Sequence, residues 1–212
     1  MLVKLCGFSE IESLKTAISC SCDFIGFIFH QNSPRNVSLS QAKSLGKIIP
    51  SSIAKVAVTV DADFDLLKQI DNHLKPQFFQ LHGQEDEEYL KKTHLEFPHI
   101  KIIKALPISK NEDFEILSKY QNLCNYFLFD SKVENNFGGS GLTLDWKLFN
   151  DKIFTKDWFL SGGLNAQNIK QAILQTGAKM IDVSSGIEEI KGKKSSKLIK
   201  EFMAVIKDQN VN

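Results

Sequence analysis

The sequence predicts an α/β fold: a single-domain (β/α)8 TIM barrel of parallel strands over residues 1–212. Three observations predict it. Eight short runs are almost continuously apolar, as parallel strands buried on both faces must be. They alternate with amphipathic stretches at roughly 26 residues per unit, close to the usual repeat of such a barrel. The glycine- and serine-bearing segments that suit an anion come after the seventh and eighth runs. No Gly-x-Gly-x-x-Gly follows the first, which argues against a doubly wound open sheet.

The elements follow in order. A strand over 3–6 leads to a helix over 9–18, with Ser9 and Glu12 at capping-box spacing. A strand over 24–29 precedes a helix over 40–49. A strand over 55–60 precedes a helix over 63–73 that opens on Asp63. A strand over 78–81 is followed by a helix over 85–94, and one over 100–105 by a helix over 111–120. The sixth strand, 126–130, leads into an irregular stretch, 131–141. Gly138-Gly139-Ser140-Gly141 makes that stretch either a mobile loop or an ordinary surface loop, and a short helix over 145–149 comes after it. The seventh strand, 158–161, and the helix over 165–175 are joined at Asn165, a natural N-cap, and Gly177 is placed to stop that helix. A strand over 180–184 and a helix over 195–207 close the series.

Composition narrows the function. Lys and Arg number 26 against 25 Asp and Glu, a net charge of +1, so nothing draws the chain to nucleic acid or to an anionic membrane. No apolar run approaches the roughly 18 residues of a membrane span. The first residues enter a strand pattern directly, without a basic stretch, an apolar stretch and a cleavage site, so the expected compartment is cytoplasmic. Cys6, Cys20, Cys22 and Cys124 show no Cys-x-x-Cys pairing and are expected as thiols. Arg35 is the chain's single arginine among 26 basic residues. Its planar fork binds a carboxylate or phosphate at two points, which lysine cannot copy. The 16 phenylalanines suit a core or an interface equally, so monomer and homodimer both stay open.

In such a barrel the loops after the strands form the active face. The strand ends deliver Cys6, His30, Asp61, His82, Asp130, Ser161 and Asp182, and nearly Lys104. Ser161-Gly162-Gly163 and Ser184-Ser185-Gly186 are either tight turns or an anion cradle. Their position on adjacent strands favours a phosphate held by Gly162, Gly163, Ser184, Ser185 and Gly186. Cys6 is a small buried hydrophobe or a general base. Asp130 orients a loop or donates a proton as a general acid. Arg35, behind Pro34, makes a salt bridge or grips an anion. His30 and His82 with Asp130 and Asp182 offer a rival divalent-metal set, but without any sequence-local ligand pair.

Taken together these segments resemble phosphoribosylanthranilate isomerase of tryptophan biosynthesis, nearly end to end. The resemblance is carried by Lys4-Leu5-Cys6-Gly7, Gly26-Phe27-Ile28-Phe29 with Ser33-Pro34-Arg35, Gln80-Leu81-His82-Gly83 and Ile103-Lys104-Ala105. Asp130 with Gly138-Gly139-Ser140-Gly141 and Asp145-Trp146 extends it, as do Ser161-Gly162-Gly163-Leu164-Asn165 and Asp182-Val183-Ser184-Ser185-Gly186. It implies a cofactor-free Amadori rearrangement of a phosphorylated small molecule. Asp130 would protonate the ribose ring oxygen and Cys6 would take the proton from the sugar C2. Arg35 would hold the anthranilate carboxylate, and the Gly162, Gly163, Ser184, Ser185 and Gly186 segments the phosphate. His82 and Asp182 are expected to bind substrate. Two features depart from the family: Ala57-Val58-Thr59-Val60-Asp61, where phenylalanine and asparagine are more usual, and Cys20 and Cys22, where small residues are. The other readings are a metal-dependent sugar-phosphate epimerase and a non-catalytic sugar-phosphate-binding barrel.

Overall fold

A computed structural model describes residues 1–131 and 144–209. Gly138-Gly139-Ser140-Gly141 and most of the irregular stretch lie outside the described residues. Eight parallel strands close in sequence order: β1 (Leu2–Cys6), β2 (Phe24–Phe29), β3 (Ala54–Thr59), β4 (Phe78–Leu81), β5 (Lys101–Ile108), β6 (Tyr126–Ser131), β7 (Trp158–Leu160) and β8 (Met180–Val183). Closure is sealed by β8 against β1, with Leu2 beside Met180 and Lys4 beside Asp182. Around them lie α1 (Ile11–Ser19), α2 (Leu39–Gly46), α3 (Phe64–Leu74), α4 (Glu87–Glu96), α5 (Leu117–Tyr120), α6 (Ile169–Thr176) and α7 (Ser196–Gln209). This is the TIM barrel the alternation predicts.

The helix starts differ from the sequence expectation for local reasons. The Ser9–Glu12 capping box does not form, and α1 starts at Ile11 without a side-chain cap. Ser38, Asp63 and Asp86 cap α2, α3 and α4 by accepting from the backbone N–H three residues on. The helix expected over 111–120 is a 3-10 turn, Asn111–Ile116, running into the single turn of α5. The Asp113 carboxylate accepts from the Ser109 and Lys110 backbones and so winds the entry tightly. The segment 145–149 is likewise a 3-10 turn, Trp146–Phe149. Asn165 caps a turn and not α6, accepting from the Gln167 and Asn168 N–H groups, and the helix begins at Ile169. Gly177 does end α6, at φ +66. A small hairpin, β9 (Glu188–Ile190) and β10 (Lys193–Lys194), has no counterpart in the expectation.

Side-chain alternation along the strands sorts the molecule into two compartments. One parity faces the helices and builds the larger apolar core, including Leu5, Phe27, Phe79, Phe129 and Ile181. The other faces the barrel axis. Its lower part is closed by Phe24, Phe78, Tyr126 and Phe159, whose neighbouring ring centroids lie 5.3–5.9 Å apart at steep angles. Val56, Val58, Ile103, Ala105 and Leu128 fill the middle. Above that floor the same parity turns polar, and the site is there.

Candidate active site

The axial parity brings Lys4, Cys6, Gln80, Asp130 and Ser161 to the upper barrel with Asp182. Lys4 is wholly buried, and its ammonium meets the Asp182 carboxylate at 2.7 Å. Ser161 donates its hydroxyl to the other Asp182 oxygen at 3.2 Å. Cys6 lies two residues beyond Lys4 on the same face and is itself buried. Gly26 makes room for it, since a Cβ there would stand 2.7 Å from the Cys6 Sγ. Burial pushes the Cys6 thiol above its ordinary pKa, and the Lys4 ammonium pulls against that rise. Burial also works against the Lys4 charge, but Asp182 and Cys6 outweigh it and raise the Lys4 pKa. Lys4 is therefore a fixed cation beside the thiol.

Asp130, one residue before the end of β6, lies on the same inner face. Its Oδ1 accepts from the Ser131 N–H at 2.8 Å, and its Oδ2 lies 3.5 Å from the His82 Nε2. The other ring nitrogen of His82, Nδ1, is 3.0 Å from the Gln80 Nε2. Gln80 Oε1 is buried without a hydrogen-bond partner among the described residues. Gln80 itself borders the pocket. Gly162, at φ +90, passes so close that a Cβ would stand 3.0 Å from the Ser131 N and 3.3 Å from Asp130 Oδ1. The glycine suits both its backbone angle and the close approach to Asp130.

These residues border one pocket of about 700 Å³, counting the open solvent at its mouth. Cys6, His30, Arg35, His82, Asp130, Ser161, Gly162, Gly163, Asp182, Ser184 and Ser185 all line it. Gly162 and Gly163 take positive φ in succession, presenting their backbone at the rim. Gly186 sits behind the lining. A Cβ there would run into the Leu164 carbonyl, so this glycine lets the two anion-type segments pack against each other.

Arg35 reaches the pocket with its guanidinium already engaged. Its Nε and Nη2 donate to Glu188 at 2.6 and 2.8 Å, and both side chains are 4% exposed. The salt bridge that the sequence allowed is thus formed, and it is buried at the pocket wall. Lys104 proves to lie outside the site. It sits between the axial residues Ile103 and Ala105, so it points toward the helices. There it pairs with Glu85 at 2.7 Å and donates to the Gly83 carbonyl at 2.8 Å. The Glu85 carboxylate in turn accepts from the Asp61 and Gly83 N–H groups. That arrangement braces the turn after His82. Among the described residues, no group of three or more His, Cys, Asp or Glu side chains is placed to hold a metal ion. All four cysteines are thiols.

Lys4, Gln80, Glu188 and Lys194 were not singled out as site residues in the sequence. The first two share strand parity with Cys6 and His82, and that parity is a signal that finds them. Glu188 and Lys194 sit in the hairpin beyond β8, where strand periodicity says nothing.

Comparison with known proteins bears on this geometry. The sequence profile of N-(5'phosphoribosyl)anthranilate (PRA) isomerase matches residues 3–205. The chain belongs to that family. The isomerase of Parvibaculum lavamentivorans is 38% identical over 210 residues, covering 97% of each chain. Among solved structures, the Thermotoga maritima isomerase superposes with a TM-score of 0.88 at 30% identity, over 98% of this chain and 99% of its own. A family structure in complex with reduced 1-(o-carboxyphenylamino)-1-deoxyribulose 5-phosphate superposes at 0.84 with 28% identity, over 98% and 99% of the two chains. Among the described residues, no helix is long and apolar enough to cross a membrane.

Proposed function

We propose that this chain isomerises N-(5'-phosphoribosyl)anthranilate to 1-(2-carboxyphenylamino)-1-deoxyribulose 5-phosphate, as the family name and the liganded relative suggest. One observation carries the reading: a buried thiol, Cys6, and a carboxyl, Asp130, line one pocket between an arginine wall and a glycine–serine rim. Asp130 gives a proton to the ribose ring oxygen as the C1–O bond breaks, and the anilino nitrogen supplies the electron pair that makes the iminium. Cys6 then takes the C2 proton, and the C–H pair moves in to neutralise the iminium as an enolamine. Tautomerisation gives the ketone. Electrons and protons balance without any cofactor or metal.

The physical logic lies in where the charges sit. Burial raises the thiol, and Lys4 pulls against that rise. The Cys6 thiol first gives its proton to solvent at the pocket mouth, matched by the solvent proton that later restores Asp130. The iminium adds a second positive charge next to Lys4 that favours the thiolate when the C2 proton is most acidic. Gly162, Gly163, Ser184 and Ser185 hold the phosphate, with Gly186 keeping their segments in contact. Arg35 holds the carboxylate at the other end. Two remote grips fix the reacting carbons between acid and base. His82 and Asp182 orient the sugar hydroxyls, with Asp182 held in place by Lys4 and Ser161. The test is turnover of phosphoribosylanthranilate by the purified protein, followed as loss of its anthranilate-type fluorescence. Turnover with the metal-chelated protein supports the reading, and none under saturating substrate overturns it.

A further inference from the structure

The hairpin β9–β10 sits beside Arg35, and its contacts make it a mould for the arginine. Glu188 accepts from the guanidinium at Nε and Nη2. Lys194 Nζ donates to the same carboxylate at 2.6 Å and to the Ser184 carbonyl and hydroxyl at 3.0 and 3.2 Å. The Gly192 N–H steadies Glu188 Oε2 at 3.0 Å. Gly192 has φ +89, and a Cβ there would stand 2.7 Å from the Pro34 carbonyl, so the hairpin turn is pressed onto the residue before Arg35. From the other side Gly7 clears the way for the arginine stem. A Cβ at Gly7 would lie 2.7 Å from Arg35 Cδ.

The chemistry of the fork gives this arrangement a purpose. A guanidinium offers a side edge, Nε and Nη2, and an end edge, Nη1 and Nη2. Glu188 occupies the side edge, which leaves the end edge for a second two-point acceptor. Two buried cations share one carboxylate, so the cluster keeps a net positive charge at the pocket wall. A plain structural pair would have been neutral. Burial drops the Lys194 ammonium to about 8 despite Glu188, an electrostatic cost that a purely structural contact need not carry.

We propose that Glu188 and Lys194 are positioning residues that aim the end edge of Arg35 into the pocket, which makes the β9–β10 hairpin the element that selects a carboxylate on the substrate's aromatic amine. This rests on the isomerase reading. The test compares kcat/KM for phosphoribosylanthranilate with kcat/KM for the phosphoribosyl derivative of aniline, which lacks the carboxylate. In Glu188→Gln the ratio falls roughly tenfold or more, mainly through a higher KM for the carboxylated compound. Lys194→Met, which neutralises the cluster, lowers the ratio in the same direction. Should Glu188→Gln fail to fold, Glu188→Asp draws the carboxylate back by one methylene and gives a smaller fall of the same sign. A merely structural role slows both substrates together. An unchanged ratio in variants that fold, with the wild type active, overturns the inference alone. A wild type that turns over neither substrate overturns the isomerase reading, and the inference with it.

Discussion

Lys4 and Lys104 are both buried, and each meets a carboxylate at 2.7 Å: Asp182 for the first, Glu85 for the second. By distance and burial the two pairs are near twins. What separates them is strand parity. Lys4 shares the axial face with Cys6 and stands beside its thiol, whereas Lys104 is on the helix-facing side and braces a turn. A buried ion pair is weak evidence of stability, because desolvation cancels much of the attraction. Removing one partner is costly in either case, since the other charge stays buried. The two lysines therefore share a structural penalty and differ only in what else they do.

The sharpest break in that comparison comes from the two axial-face groups that the proposed reaction uses. Asp130→Asn and Cys6→Ser should each reduce kcat by about 10²- to 10⁴-fold, with thermal unfolding little changed. Near-normal turnover by either variant would assign the acid or base role elsewhere. Next in size is Lys104→Met. It strands the Glu85 carboxylate and is expected to cost about 3–5 kcal/mol in denaturant unfolding, with Lys104→Met/Glu85→Gln recovering part of the loss.

Lys4→Met sharpens the contrast by pH. The Lys4 cation favours the Cys6 thiolate, so its removal raises the thiol pKa further. The alkaline rise of kcat should then move to higher pH, alongside a shift in thiolate absorbance. Lys104→Met, outside the barrel wall, should leave that limb where it is, and a matching shift in both variants would dissolve the distinction. The smallest effect belongs to an exposed pair. Lys197 and Glu201 sit 3.8 Å apart on α7 with their side chains 83% and 43% exposed, and Lys197→Ala should alter stability by no more than about 0.5 kcal/mol.

Acid unfolding offers one further measurement. Burial works to raise the Glu188 pKa, but Arg35 and Lys194 outweigh it and the net shift is downward. A depressed carboxyl contributes stability that is complete above its unfolded value of 4.5 and disappears as pH falls through the folded one. Glu188→Gln should accordingly flatten the acid limb of the stability curve below pH 4.5.

The barrel was legible because its strands are apolar on both faces and recur at a steady interval, and local signals such as Gly177 or Asp63 mark where helices begin or end. Helix starts were less legible. Ser9 does not cap α1, which starts at Ile11, and the Glu85 side chain leaves the start of α4 to bond Lys104. Most of the site was legible too, since polar residues closing apolar strands are conspicuous, and the sequence placed Cys6, Asp130 and the two glycine–serine segments on the same face.

Sequence by itself thus determined the chain's alternation, the identity of its strand-end residues and the singular position of Arg35, because these are properties of local order and composition. Tertiary structure alone decided which carboxylate each buried lysine meets, Asp182 for Lys4 and Glu85 for Lys104. It also decided that Gly186 serves packing, and that Arg35 arrives at the pocket already held by Glu188. The reason is distance along the chain. Arg35 and Glu188 are 153 residues apart, and Lys4 and Asp182 are 178 apart. Only closure of β8 onto β1 brings such partners within reach, and no local pattern encodes that meeting.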